Sequence, residues 1–312
     1  MKIIVLGGCG YVGSVLVKKL LKKNYKIFVV DTQWFGNYLG AHKNLKTLKC
    51  DIRNLKNISF KGYEKIIHLA NIANDPMAEL NPNLSWEVNV LTTYELITKS
   101  IRDGVKHFIY SSSGSVYGVK KEKKVTEELS PMPISIYNKT KMIAERILLS
   151  FKDQIKINII RPATVCGLSP RMRFDLTVNL LTMQALQKRE ITVFGGSQKR
   201  PNIHVEDLTD IFIHFLNNKS NSIFYNAGFE NLSVLQIAKI IKKNIPCKII
   251  IKKCNDIRSY NLDSSKLLKT GFEPKLKIND AIKQIMEAFE KNKISLKDEW
   301  QSVSWLKKIK VI

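Results

Sequence analysis

The chain has 312 residues, of which 44% are hydrophobic and 25% are charged, and its formal net charge is +24. This composition is typical of a globular protein with a large core, and no apolar run approaches the roughly 20 residues that cross a membrane. The five cysteines form no Cys-x-x-Cys pair, so we expect neither disulfides nor a metal site, and a reducing cytoplasmic location. The lysines are spread along the whole chain. We therefore expect no nucleic-acid partner, although a positive field would steer an anionic small substrate.

Strand-like apolar runs alternate with helical patterns through the first half of the chain. The predicted strands are residues 2–6, 26–30, 47–50, 65–69, 107–111 and 156–160. Helical periodicity separates most of them, at residues 12–23, 84–102 and 136–151. This alternation predicts an α/β fold over residues 1–165, with a parallel, doubly wound sheet of the Rossmann type.

The pattern loosens after about residue 165. Helices are predicted at residues 174–188, 205–217, 234–243 and 278–291. Short strands are predicted between them, at residues 191–193, 223–226 and 248–251. We expect residues 166–312 to form a smaller mixed α/β lobe that binds the substrate. The boundary is soft, because chain segments can cross back between lobes.

A glycine-rich loop, residues 7–13, follows the first strand and opens the first helix. Gly7, Gly10 and Gly13 allow a tight turn, close approach of a diphosphate to the backbone, and close packing of helix on strand. The start of the helix, with Tyr11 and Val12, supplies free N–H groups and the positive end of the helix dipole. These features together predict a dinucleotide-binding site.

The second strand leads into Asp31, at the distance from the loop that is typical of a ribose-binding carboxylate. A carboxylate there accepts hydrogen bonds from both ribose hydroxyls and repels a 2′-phosphate. Neither Thr32 nor Gln33 supplies a cation that would offset this repulsion. The predicted cofactor is therefore NAD rather than NADP.

Tyr137 and Lys141 lie four residues apart, on one face of a predicted helix. A lysine ammonium beside a phenol would lower the pKa of the phenol. Such a phenol can take a proton from an alcohol while hydride leaves for a cofactor. The pair alone is a weak signal in a lysine-rich chain, but the glycine loop and Asp31 favour a hydride-transfer site.

Several motifs, in the same order, resemble those of the extended short-chain dehydrogenase/reductases that act on sugar nucleotides. They are the Gly-x-x-Gly-x-x-Gly loop, Asp51-Ile52-Arg53, His68-Leu69-Ala70-Asn71, Ser111 through Gly118, Arg161-Pro162, and Arg200 through Leu208. The resemblance implies that Ser113 hydrogen-bonds the reacting oxygen, that Tyr137 is the acid/base, and that Lys141 holds the nicotinamide ribose. It also implies cofactor contacts at Asp51, Ile52, Leu69, Ala70 and Ser111.

Departures from the family pattern narrow the expected activity. The family's 4,6-dehydratases carry an Asp-Glu pair where this chain has Gly114 and Ser115, so dehydration is disfavoured. Residues 68–84 are unlike the UDP-galactose epimerase version, which leaves the sugar open. We expect oxidation of a sugar-nucleotide ring hydroxyl at C4, followed by epimerisation. The alternatives are a dehydrogenase or ketoreductase that stops at the keto sugar and, less favoured, a non-catalytic dinucleotide sensor.

A nucleoside-diphosphate sugar carries a diphosphate, so we expect cations in the second lobe. The resemblance places phosphate-binding arginines at Arg200 and Arg258, and arginine's planar fork suits that role. Arg171 and Arg173, on a predicted loop, are further candidates, as is Asn179 for the nucleotide. The resemblance also implies a homodimer joined by a four-helix bundle of residues 84–102 and 136–151.

Overall fold

The computed structural model of the protein describes residues 1–218, 220, 222–253 and 259–310. Within these residues the strands are β1 (Lys2–Leu6), β2 (Lys26–Asp31), β3 (Leu45–Lys49), β4 (Lys65–His68), β5 (His107–Ser111), β6 (Lys156–Pro162), β7 (Thr164–Cys166), β8 (Glu190–Phe194), β9 (Lys199–His204), β10 (Phe224–Ala227), β11 (Glu230–Ser233) and β12 (Lys248–Lys252).

The α-helices of the described residues are α1 (Tyr11–Lys22), α2 (Asp75–Leu80), α3 (Pro82–Trp86), α4 (Thr92–Arg102), α5 (Ile136–Leu149), α6 (Thr177–Lys188), α7 (Val205–Asn217), α8 (Val234–Asn244), α9 (Ser265–Leu268), α10 (Ile278–Glu290) and α11 (Ser302–Lys308). A π-helical turn, Glu87–Leu91, joins α3 to α4, and a 3₁₀ turn, Gly114–Tyr117, follows β5. No helix in the described ranges is both long and apolar enough to span a bilayer.

The main sheet is parallel and has the strand order β10-β6-β5-β4-β1-β2-β3. Its inner strands are almost wholly apolar and buried, as both faces are covered by helices. Strand β1 pairs with β2 on one side and β4 on the other, so the strand order reverses there. In such sheets ligands bind in the crevice outside the carboxyl ends of the strands at this switch point. The predicted α/β fold with a Rossmann-type sheet is confirmed.

The second lobe contains two small sheets, β11-β9-β7 and β12-β8, packed with α6, α8 and α10. Its own apolar core includes Ile191, Ile237 and Ile282, each fully buried. Hydrogen bonds tie it to α1. Among them, Tyr11 Oη donates to the Gly167 carbonyl at 2.7 Å, and the hydroxyls of Ser14 and Ser169 lie 3.0 Å apart. The first helix therefore belongs structurally to both lobes.

The chain crosses back to the first lobe after residue 166. Strand β10 joins the main sheet beside β6, and α7 packs on α1 through buried Phe212. Near the end of the chain, Leu306 of α11 is buried in the core that also contains Leu6 and Phe28. The lobes are thus interleaved along the sequence, and a single cut at residue 165 does not separate them.

Candidate active site

A cavity of about 640 Å³ lies at the carboxyl ends of the main-sheet strands, between the two lobes. Its wall includes the glycine loop, Asp31, Ser113, Tyr137 and Lys141. Across the cleft, the second lobe contributes Arg200. The fold thus gathers around one cleft residues that are separated by up to two-thirds of the chain.

Two glycines of the loop cannot carry a side chain without a clash. Gly7 has φ +81°, and a Cβ there would lie 2.6 Å from the backbone nitrogen of Ala70. A Cβ on Gly13 would lie 2.3 Å from the Gly7 carbonyl oxygen. Helix α1 begins at Tyr11 with no side-chain cap, so its first-turn N–H groups are available to a phosphate. The loop fits the diphosphate of a dinucleotide.

Asp31 is held in place by the backbone on both sides. Its Oδ2 accepts from the Cys9 amide at 2.9 Å and its Oδ1 accepts from the Gln33 amide at 2.7 Å. Burial raises its pKa, and these backbone hydrogen bonds oppose the rise. Each carboxylate oxygen retains a lone pair for a ribose hydroxyl. The residues present therefore fit the adenosine ribose of NAD.

Four further predicted cofactor contacts, Asp51, Ile52, Leu69 and Ala70, line the same cleft. Asp51 accepts from Arg53 Nη2 at 2.8 Å, and Arg53 Nη1 reaches Glu87 at 2.8 Å. Although burial raises the pKa of Asp51, the hydrogen bonds and charge of Arg53 hold it below its ordinary value. This carboxylate is therefore ionised and fixed at the cofactor end of the cleft.

Tyr137 lies in the first turn of α5, whose start is capped by the Ser135 hydroxyl accepting from the Asn138 amide at 3.2 Å. Tyr137 and Ser113 both line the cleft, and the Ser113 hydroxyl is close enough to act on the pKa of the phenol. Burial raises the pKa of Tyr137 to about 12, which the Ser113 hydroxyl and the charge of Arg173 oppose. The structure therefore brings Ser113 and Tyr137 together, as predicted.

Lys141 is 2% exposed and lies beneath Tyr137 on the same face of α5. Its Nζ donates to the Ser111 carbonyl at 2.6 Å and to Tyr110 Oη at 3.3 Å, and lies 5.9 Å from the Tyr137 ring centroid. Burial lowers the pKa of Lys141 to about 7, although Glu145 opposes the change. The expected lowering of the Tyr137 pKa by Lys141 is not found: burial raises the pKa of the phenol, and the groups that oppose the rise are Ser113 and Arg173.

A hydroxyl chain behind Ser113 was not predicted from the sequence. Ser113 Oγ lies 2.7 Å from Ser115 Oγ, which in turn donates to Asn138 Oδ1. Asn138 is fully buried and directly follows Tyr137. The chain thus ties the orientation of the Ser113 hydroxyl to the helix that carries Tyr137. The only sequence signal was the position of Ser115 in the serine-rich segment.

A buried ion pair anchors the other end of α5. Arg161 of β6 donates to both carboxylate oxygens of Glu145, at 2.9 and 2.7 Å, and Ser112 Oγ donates to the same carboxylate at 2.5 Å. Glu145 lies four residues after Lys141, on the same face of the helix. The pair therefore fixes α5 against the strands that carry Ser111 and Ser113.

The predicted substrate arginines differ in their surroundings. Arg173 interacts electrostatically with Tyr137 and forms a bidentate pair with Asp175, at 2.6 and 3.1 Å. Arg200 lines the cleft from β9, and its Nη1 donates to the Lys199 carbonyl at 3.2 Å. Arg258 lies outside the described residues.

Arg171 lies at the cofactor end of the cleft, with its guanidinium carbon 4.0 Å from the Phe35 ring centroid. Phe35 follows β2, so Arg171 also contacts the segment that leads away from Asp31. Asn179 is fully buried: its amide donates to Tyr11 Oη and to the Arg173 carbonyl, each at 3.1 Å, and accepts from the Gly167 amide. This geometry disfavours a direct contact between Asn179 and a nucleotide, because both of its N–H donors are already used.

The described side chains contain no group of three or more His, Cys, Asp or Glu residues placed to hold a metal ion.

Comparison with known proteins gives consistent matches. The model of the family described as "NAD dependent epimerase/dehydratase family" matches residues 3–228. A UDP-glucose 4-epimerase from Lactobacillus helveticus is 27% identical over 305 residues, covering 88% of this chain and 92% of the relative. A crystal structure of a Thermotoga maritima UDP-glucose 4-epimerase with UDP-glucose is 28% identical, with a TM-score of 0.87, and covers 94% of this chain and 100% of its own. A Bacillus cereus UDP-glucuronic acid 4-epimerase, in complex with UDP-glucuronic acid and NAD, is 25% identical with a TM-score of 0.79, over 94% and 100%.

Proposed function

The chain belongs to the NAD-dependent epimerase/dehydratase family, and on that basis we propose that it is an epimerase that inverts C4 of a UDP-sugar. One observation carries the proposal: Ser113, Tyr137 and Lys141 line the same cleft as the glycine-rich loop that fits a dinucleotide. Names of relatives at 27% and 28% identity, both UDP-glucose 4-epimerases, support the choice of nucleotide and ring position.

The cofactor is NAD, and its contacts are proposed residue by residue. The loop residues Gly7, Gly10, Tyr11, Val12 and Gly13 hold the diphosphate through backbone N–H groups. Asp31 binds the adenosine ribose, while Asp51 and Ile52 lie against the adenine. Leu69, Ala70, Ser111 and Lys141 line the path to the nicotinamide end.

Side-chain hydroxyls of this chain carry out the proton transfer. When bound, NAD supplies an acceptor for the hydride of the sugar carbon and later returns it. Tyr137 takes the proton of the C4 hydroxyl as general base and returns it as general acid. Ser113 hydrogen-bonds the same oxygen and stabilises charge that develops on it. Lys141, buried below them, holds the nicotinamide ribose.

Epimerisation is favoured over dehydration because the segment directly after Ser113 carries no acid and base pair. The positions after Ser113 are Gly114 and Ser115, and the Ser115 hydroxyl is already bonded to Ser113 and Asn138. Elimination of water from a neighbouring carbon needs a carboxyl pair that this segment does not supply. A dehydrogenase that releases the keto sugar shares the same residues and remains the alternative outcome.

The substrate's diphosphate is proposed to bind Arg200 and Arg258. Arg200 lines the cleft from the second lobe, opposite the cofactor loop, and its planar guanidinium can bind two phosphate oxygens at once. Arg173 lies near Tyr137, so we propose that it contacts the sugar rather than the diphosphate. Its charge is already balanced by Asp175, which suits a neutral sugar hydroxyl.

A homodimer and a cytoplasmic location complete the proposal. Large apolar side chains are exposed on α3, the π-turn and α4: Trp86 at 37%, Leu91 at 61% and Tyr94 at 53%. An exposed apolar helix face of this kind is typical of a surface that pairs with a second copy. Cys9, Cys50, Cys166 and Cys247 are free thiols, which accords with a reducing compartment.

The experiment is a Tyr137→Phe substitution assayed for interconversion of UDP-glucose and UDP-galactose by NMR. Loss of the proton acceptor should reduce kcat by about 10²- to 10⁴-fold while the protein still binds NAD. Tyr94→Phe is the matched control, because Tyr94 is 53% exposed on a neighbouring helix. A Tyr137→Phe protein that turns over at the unaltered rate would refute the assignment.

A further inference from the structure

Three arginine side chains are largely buried in the described part of the chain, and they differ in their counterions. Arg161 is paired with Glu145 and Arg173 with Asp175, each through two hydrogen bonds. Arg171 is 2% exposed and forms no ion pair with any carboxylate of the described residues. Arg171 is therefore a buried cation whose charge the protein does not balance by direct contact.

The Arg171 guanidinium is clamped between two distant segments. One face stacks on Phe35, which follows β2, with 4.0 Å from Cζ to the ring centroid. On the other side Nη2 donates to Ser302 Oγ at 3.0 Å and to the Glu299 carbonyl at 3.4 Å. Nε is buried, and no described residue accepts a hydrogen bond from it. The guanidinium is thus fixed by contacts on two sides, and Arg171 is one of the residues that line the cleft.

Burial of this unpaired charge lowers the stability of the folded protein. Burial lowers the pKa of Arg171 to about 9, and the positive charge of Arg173 contributes to the change. A buried charge is normally paired, because the loss of hydration otherwise opposes folding. A buried cation that lines a ligand cleft and has no carboxylate partner among the described residues indicates that the bound ligand supplies the negative charge.

We propose that Arg171 binds the diphosphate of the dinucleotide cofactor. The stacking contact with Phe35 points to this ligand, because Phe35 belongs to the segment that follows β2 and Asp31, where the adenosine ribose binds. Asp31 is also among the negative charges that act on Arg171, together with Asp175 and Tyr38. The guanidinium would add a charged fork to the backbone N–H groups of the glycine loop. Arg171 also contacts Glu299 and Ser302, and Ser302 is the first residue of α11. Cofactor binding at Arg171 should therefore also affect the start of this helix.

The inference rests on NAD binding in this cleft, not on the identity of the sugar. The test uses Arg171→Met in protein freed of dinucleotide, with ADP-ribose, adenosine and UDP as probes in calorimetric titrations. Loss of a charged hydrogen bond should weaken ADP-ribose binding by about 10- to 100-fold. Adenosine lacks the diphosphate and UDP belongs to the substrate, so neither affinity should change.

A second measurement separates a binding role from a structural one. Methionine removes the unpaired charge while filling the same space, so the thermal midpoint of the ligand-free Arg171→Met protein should be equal to or above that of the unaltered protein. Arg171→Lys should lose less ADP-ribose affinity than Arg171→Met. Arg102→Met, at a side chain that is 72% exposed, controls for the general loss of positive charge.

Three results would overturn the proposal: unchanged ADP-ribose affinity, an equal loss of adenosine affinity, or a loss confined to UDP. The last would return Arg171 to the substrate site. A failure of the epimerase assignment is distinguishable, because it would alter the products of turnover and leave the ADP-ribose titration as predicted.

Discussion

At the scale of single residues, the site depends on side chains whose ordinary charge states are changed by burial. Lys141 is the clearest case, with its pKa lowered from 10.5 to about 7. Its hydrogen bonds to Ser111 and Tyr110 hold the amine where it would meet the nicotinamide ribose. Burial of the Lys141 amine lowers the stability of the fold but positions the amine for function, and such a compromise is common at active sites.

The pH dependence of stability tests this account of Lys141. Between pH 7 and 10.5 the unfolded chain carries a proton on this lysine that the folded protein has lost. The free energy of unfolding therefore rises with pH in this window, by about 1.4 kcal/mol per unit from this group. Below pH 7 both states are protonated, and the full cost of burying the charge is present.

Lys141→Met should thus be more stable than the unaltered protein near pH 7, and this advantage should shrink as the pH approaches 10. Urea denaturation of dinucleotide-free protein at several pH values measures it. Lys139→Met, at an exposed position on the same helix, should show no such trend. A stability difference for Lys141→Met that does not vary with pH would contradict the burial argument.

The sequence predicted those site residues that are marked by a pattern among neighbouring residues. Tyr137 and Lys141 were identified by helical spacing, and Gly7, Gly13 and Asp31 by their distance from the first strand. The surroundings of Arg171 could not be found this way, because Phe35 and Ser302 lie more than a hundred residues away in either direction. The raised pKa of Tyr137 was missed for a related reason, since burial is a property of the whole fold.

At the scale of secondary structure, elements with a strong apolar or periodic pattern were predicted well, and elements with a weak pattern were not. Strand β1 and helix α7 have the predicted bounds, while β3 begins at Leu45 rather than residue 47. Strand β3 lies at the edge of the sheet and is half-exposed, so its apolar pattern is weak. The short helices α2 and α11 were missed because few residues cannot establish a period.

The face of α3, the π-turn and α4 provides a prediction at this scale. If it pairs with a second copy, charges placed on it will separate the subunits. The double variant Leu91→Glu/Tyr94→Glu should sediment as a monomer, while the unaltered protein sediments as a dimer. Leu296→Glu, at another exposed apolar residue, is the control. A dimer that survives the double substitution would exclude this face.

At the scale of the whole molecule, the cleft exists because two interleaved lobes meet over the switch point of the sheet. Strand β10 and helix α7 return to the first lobe, and Leu306 brings the end of the described chain back to its core. Alternation of strands and helices predicted the sheet, and the boundary near residue 165 was left open because the chain could cross back. Which elements return could not be predicted, because nothing local indicates which sheet a short strand joins. The interleaving fixes the distance between the two ends of the cleft.

The central claim is that one carbon loses and regains the same hydride within a single cleft. It is tested most directly with UDP-glucose carrying deuterium at C4. We predict that NMR of the products will find UDP-galactose with the deuterium still at C4 and no net formation of NADH. Release of a keto sugar, accumulation of NADH, or an epimer that has lost the label to solvent would contradict the account.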